Sequence, residues 1–159
     1  MTTDPDAHTT PPVTSRPADI LLVEDSPSDA AMTVHALHEG GARHRVHVVG
    51  DGEDALAFLH RRGRYTTAPR PDLILLDLNL PRIAGRDVLT TMKADERLRG
   101  IPVIILTTSS TDTDILRAYH SGANCYVSKP IGLHDFLRAI HGIENLWLNP
   151  VRLPAYSPL

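Results

Sequence analysis

The chain of 159 residues has a single cysteine, Cys125, which excludes an internal disulfide and suits a reducing compartment. Aromatic residues make up only 4% and the net charge is −3, so the basic, aromatic-studded surface of a nucleic-acid binder is missing. Long hydrophobic runs are missing too: stretches such as Val103 to Leu106 are far too short to span a bilayer. The first residues lack the basic, apolar and small-residue succession of a secretion signal. These absences lead us to expect a soluble cytoplasmic protein, with neither nucleic acid nor membrane as its partner. What is present is a 42% hydrophobic content, enough for one domain with a real core.

Threonine and proline dominate residues 1–17, which are expected to be a disordered lead-in. An ordered domain is expected over 18–145, with 146–159 as a C-terminal extension. Within the domain, apolar runs and amphipathic stretches alternate. "ILLV" at Ile20–Val23 reads as a strand buried on both faces. Ser26 then offers an N-cap, Pro27 suits a first helical position and Asp29 favours a first turn. That helix is expected to run to about Glu39, with Val34 and Leu37 inward. "RVHVVG" reads as a second strand. A helix over "DGEDALAFLHRR" follows, with Ala55, Leu56 and Leu59 inward. "LILL" at Leu73–Leu76 is a third strand, followed by a helix carrying Val88, Leu89 and Met92. "IPVIILTTSS" is a fourth strand, "TDTDILRAYHSG" a helix and "ANCYVSKP" a short fifth strand. Leu133, Phe136, Leu137 and Ile140 then mark the inner stripe of a last helix. Five strand–helix alternations argue an α/β domain with a parallel sheet covered on both faces.

In such sheets functional groups gather at the C-terminal ends of the strands. Four of the five strands here end in chemically capable residues: Glu24 and Asp25, Asp77, Thr107, and Lys129. Right-handed connections bring those ends to one edge of the sheet. Three neighbouring acids resist joint ionisation unless a cation relieves them, and an oxygen-only site favours Mg²⁺. A carboxylate backed by Mg²⁺, an ammonium and a hydroxyl can act as a nucleophile toward a phosphoryl group.

The stretches "VEDSP", "LLDLNLP" with Gly85 after it, "ILTTS" and "YVSKP", in this order on strand ends, resemble the receiver domain of two-component response regulators. The resemblance runs from about Ile20 to Ile140. It implies a flavodoxin-like, doubly wound (βα)5 fold of the chemotaxis-regulator type, with strand order 2-1-3-4-5. It makes Asp77 the phosphoacceptor, and Glu24 and Asp25 the acidic pair for Mg²⁺, with the longer Glu24 reaching the metal through water. Asp77 itself and the backbone carbonyl of Asn79 complete the metal set. Lys129 pairs with the phosphoryl group, and its bond to Pro130 is expected cis. Thr107 becomes the switch hydroxyl and Tyr126 the aromatic that changes rotamer with it. The side chains of Asn79 and Thr108 lie where the family tunes phosphoryl lifetime.

The implied partner is a sensor histidine kinase. The "WL…V…LP" ending resembles the stand-alone regulators of bacterial phytochrome kinases. With no output domain expected, the signal would leave by protein contact, dimer change or relay, with no turnover of an independent substrate. Two readings stand beside this one: a phosphorylation-independent interaction module on the same fold, and a haloacid-dehalogenase-like phosphatase. The order of motifs and the presence of Asn79 two residues after the nucleophile argue against the phosphatase.

Other features are open or bland. Cys125 is expected to be a small core residue. The nine histidines are expected to be solvated, without metal geometry. Arg61, Arg62, Arg64 and Arg70 crowd one loop, either as a solvated insertion or as a docking edge for an acidic partner. Trp147, Leu148, Val151, Leu153 and Tyr156 make the last segment too apolar for a free tail. It either packs on its own domain or crosses to a second subunit, and a homodimer could form there or through the fourth helix and fifth strand.

Overall fold

Alternation of apolar side chains along the central strands gives the sheet two dry faces, and the helices divide between them. The computed structural model describes residues 17–39, 44–108, 111–129 and 132–143. The elements run β1 (Asp19–Val23), α1 (Pro27–Glu39), β2 (Arg45–Val49), α2 (Gly52–Leu59), a 3-10 turn (Gly63–Tyr65), β3 (Leu73–Leu76), α3 (Gly85–Ala94), β4 (Val103–Thr107), α4 (Asp112–His120), β5 (Cys125–Ser128) and α5 (Leu133–Ile143). The strands pair in parallel in the order β2-β1-β3-β4-β5. This is the doubly wound, flavodoxin-like arrangement expected from the sequence.

Ile20, Leu22, Leu73, Leu75, Ile104 and Leu106 face Ala36 and Leu37 of α1 and Phe136 and Ile140 of α5. Leu21, Val23, Ile74, Leu76, Val103 and Ile105 face the other way, onto Ala55, Phe58 and Leu59 of α2 and Val88, Leu89 and Met92 of α3. Each large aliphatic side chain removed from water contributes about 2 kcal/mol, which makes burial of the central strands a main source of the fold's stability. Cys125 is half-buried against the first of these clusters with a free thiol. No helix among the described residues is long and apolar enough to cross a membrane.

The helix starts follow local chemistry. Ser26 Oγ accepts the Asp29 N–H at 3.3 Å, Asp51 Oδ1 that of Asp54 at 2.7 Å, and Thr111 Oγ1 that of Asp114 at 3.3 Å. The second helix is shorter than its sequence pattern suggests. His60 caps it, and Arg61 adopts a left-handed φ of 53°, which stops propagation. Phe58, absent from the expected inner stripe, is buried between His47 and Tyr65, each ring centroid 5.4 Å away.

The expectation of solvated histidines fails at His47 and His60. His47 Nε2 lies 3.1 Å from the buried carboxylate of Asp19, which Arg45 also contacts at 2.9 Å. His60 bridges the carbonyl of Leu56 and the carboxylate of Asp95, at 3.0 and 3.2 Å. Both carboxylates are distant enough in sequence that strand pairing or helix packing had to bring them in. The lead-in through residue 16, and the extension with Trp147, Leu148, Val151, Leu153 and Tyr156, lie outside the described residues.

Candidate phosphoryl-acceptor site

Backbone bonds beyond the strand ends hold the polar residues in register. Glu24 donates its N–H to the Val49 carbonyl at 3.0 Å, and Asp77 donates to that of Val23 at 3.1 Å. Lys129 donates to that of Thr107 at 2.7 Å. These bonds tie the C-terminal end of β1 to β2 and to β3, and that of β5 to β4, just where the side chains become polar.

Glu24, Asp25 and Asp77 each offer a carboxylate oxygen, and the three oxygens lie within 4.8 Å of one another. Lys129 reaches in from the end of β5 with its side chain only 5% exposed. Its Nζ lies 3.0 Å from Asp77 Oδ2 and 3.2 Å from Asp29 Oδ2, and it also donates to Glu24 Oε2. Burial works against the ammonium, but the hydrogen bonds to Glu24 and Asp77 outweigh it and raise the lysine above its ordinary pKa. Burial pushes the Glu24 carboxyl up, and the neighbouring charge of Asp77 adds to the rise. The Lys129 bond and the Ser26 N–H, 3.2 Å from Oε1, pull the other way.

Three carboxylates, those of Glu24, Asp29 and Asp77, therefore meet one ammonium, and Asp25 adds a fourth beside Glu24 and Asp77. That surplus of negative charge, presented by oxygen donors alone, fits a hard divalent cation. Glu24, Asp25 and Asp77 are the side chains that would hold it.

The loop after Asp77 folds back on it. The Asn79 N–H donates to Asp77 Oδ1 at 3.0 Å, and the Gly85 N–H to the Leu78 carbonyl at 3.1 Å. Asn79 Nδ2 lies 3.4 Å from Oγ1 of Thr107, whose side chain is wholly buried. Thr108, next along, is exposed. Tyr126 pairs with Ile105 across β4 and β5, half-buried against the α2–α3 side of the core. Pro130, and with it the Lys129–Pro130 peptide, lies outside the described residues.

The structure thus brings Glu24, Asp25, Asp77 and Lys129 to one edge, with Asn79 and Thr107 beside them. It adds Asp29, which the sequence marks only as a first-turn acid. Nothing in the sequence separates Asp29 from an ordinary helix-start carboxylate; its partner is 100 residues away.

A parallel, doubly wound sheet with clustered acids and a buried lysine on its C-terminal edge defines a domain suited to holding a divalent cation beside an ammonium. The sequence pattern of the response regulator receiver domain matches residues 20–141, and the chain belongs to that family. The chain is 44% identical over 139 residues to the response regulator Rcp1 of Synechocystis sp., covering 87% of this chain and 95% of that protein. The crystal structure of the Mn²⁺-bound form of Rcp1 superposes with a TM-score of 0.84 at 44% identity, over 87% of this chain and all of the other (100%). That of the phosphorylated cyanobacterial phytochrome response regulator RcpA gives 0.84 at 42% identity, over 88% and 100% of the two chains.

Proposed function

We propose that this protein accepts a phosphoryl group on Asp77 from the phosphohistidine of a sensor histidine kinase and signals through the change that follows. The observation that carries this reading is the 3.0 Å approach of Lys129 Nζ to Asp77 Oδ2 within a cluster of carboxylates. An Asp77 oxygen attacks phosphorus as the phosphorus–nitrogen bond to the kinase imidazole breaks, and the imidazole leaves with the bond's electron pair. Lys129 stays against the group that receives the charge, and the Asn79 N–H steadies the other carboxylate oxygen. Mg²⁺, held by Glu24, Asp25, Asp77 and the Asn79 backbone carbonyl, would neutralise charge on the phosphoryl oxygens. Water later cleaves the acyl phosphate, so the domain turns over its own modification and no independent substrate.

In this reading Thr107 and Tyr126 carry the phosphorylation signal toward β5 and α4. The likeness to the cyanobacterial phytochrome regulators supports a phytochrome-type kinase as donor, in the cytoplasm. The segment after residue 145 is proposed as a packing arm or a contact with a second copy.

The test is intact mass after incubation with Mg²⁺ and acetyl phosphate, with Asp77→Asn in parallel. One added phosphoryl group, missing from the variant and labile to base, supports the reading. Stoichiometric modification of the variant would remove Asp77 from the role. No modification of either protein would favour an interaction module that works without phosphate.

A further inference from the structure

We propose that Asp29 is the fixed anchor of Lys129, a positioning residue for phosphoryl transfer; the inference rests on Asp77 being the acceptor. The ammonium has three N–H donors and faces three carboxylates: those of Glu24, Asp29 and Asp77. Two of these are consumed by the chemistry. Asp77 is converted to an acyl phosphate, and Glu24 belongs to the acidic set that takes the cation. Asp29 lies outside that set and is the one acceptor the reaction leaves unchanged.

The backbone under Asp29 is built to stay still. Ser26 Oγ accepts its N–H, and Thr33 Oγ1 donates to its carbonyl at 2.9 Å, one turn further along α1. Its carboxylate is about one-third exposed, at 32%, so it guards the rim of the site while Lys129 is nearly closed off at 5%. A lysine stem has four rotatable carbons, and a buried ammonium that loses a partner seeks another. Without Asp29, the lysine has Glu24 and Asp77 alone to settle on and competes with the incoming cation for them. With Asp29, one N–H is held at the rim and the remaining two are aimed inward.

An acid placed only to favour the start of α1 would act on the helix N-terminus and leave Lys129 unaffected. The two roles are therefore separable. The chain holds just two lysines, Lys93 and Lys129. Lys93 donates to the carbonyls of Arg99 and Ile101 rather than to a site carboxylate, and serves as an internal reference.

The experiment uses the full chain. In metal-free protein, trace acetylation with acetic anhydride and peptide mass measurement give the reactivity of Lys129 relative to Lys93. Asp29→Ala is expected to raise that ratio about fivefold, the scale of one ordinary hydrogen bond lost at a partly exposed partner. At saturating Mg²⁺ and fixed acetyl phosphate, the same variant is expected to be phosphorylated about fivefold more slowly. Asp29→Asn keeps an acceptor oxygen and should recover most of both values, and thermal melting of each variant verifies that it is folded. Phosphorylation of Asp29→Ala at the wild-type rate overturns the inference and leaves Asp77 as acceptor. If the wild-type chain is not phosphorylated, the Asp77 reading falls instead, and an unchanged Lys129 ratio in Asp29→Ala overturns the anchor independently.

Discussion

A β-carbon on Gly85 would collide with the carbonyl oxygen of Asp77 and stand 2.8 Å from the α-carbon of Leu78. The first turn of α3 is thus pressed against the backbone of the proposed acceptor, and only a residue without a side chain permits it. Gly85→Ala should push α3 away from the end of β3 and cost about 1–3 kcal/mol of stability by overpacking. Phosphorylation by acetyl phosphate should fall further than melting predicts, because Asp77 itself is displaced. Wild-type labelling kinetics in Gly85→Ala would show that the contact has no bearing on the acceptor.

Arg82 occupies the same loop with a left-handed φ of 67°, which side chains other than glycine adopt at a cost. Its guanidinium lies 3.0 Å from Glu53 and 3.8 Å from Asp51, tying the loop to the start of α2. Two substitutions separate these contributions. Arg82→Ala loses the ion pairs and keeps the strain, whereas Arg82→Gly loses both. Arg82→Gly should therefore melt at a higher temperature than Arg82→Ala, and added salt should narrow the gap between wild type and Arg82→Ala.

Thr107 offers a cleaner division between fold and signal. Its hydroxyl is buried beside the Asn79 amide, and valine reproduces its shape. Thr107→Val should cost about 1 kcal/mol, the worth of one hydrogen bond, and leave Asp77 open to labelling. The phosphorylation-dependent shifts of β5 amide resonances should disappear. Their persistence would assign the switch to another group.

Away from the site, Asp95 should govern part of the acid response. The Arg97 N–H, 2.9 Å from its carboxylate, holds the carboxyl below its ordinary value; burial opposes slightly, and His60 adds to the depression. A carboxyl depressed by folding stabilises the native state above its unfolded pKa, and the contribution is lost as pH falls through the folded value. Asp95→Asn should melt at a lower temperature than wild type at about pH 7, and the difference should shrink as pH falls below the ordinary carboxyl value of 3.8. Melting curves from neutral to acid pH check the sign.

The strand cores were readable because runs such as Leu73–Leu76 are buried on both faces and flanked by turn residues. Their polar ends were readable for the same reason, since an acid directly after four buried aliphatic residues has to be matched by a cation or by chemistry. The helix boundary at Leu59 was not, because the left-handed turn at Arg61 depends on backbone geometry that an arginine does not announce. Nor were the partners of His47, His60 and Asp29. Each is a polar contact across elements 28, 35 or 100 residues apart, and periodicity carries no information about which surface groups will meet.

Lys129 follows the fifth strand and bonds to Glu24, 105 residues before it. During synthesis the acids therefore emerge long before the cation that complements them. A nascent chain that has completed β1 through β4 carries a cluster of carboxylates with no ammonium to steady an incoming phosphoryl group. Under the proposed function, the site is complete only once the last strand docks, so a chain truncated before Lys129 is expected to accept a phosphoryl group more slowly than the full chain.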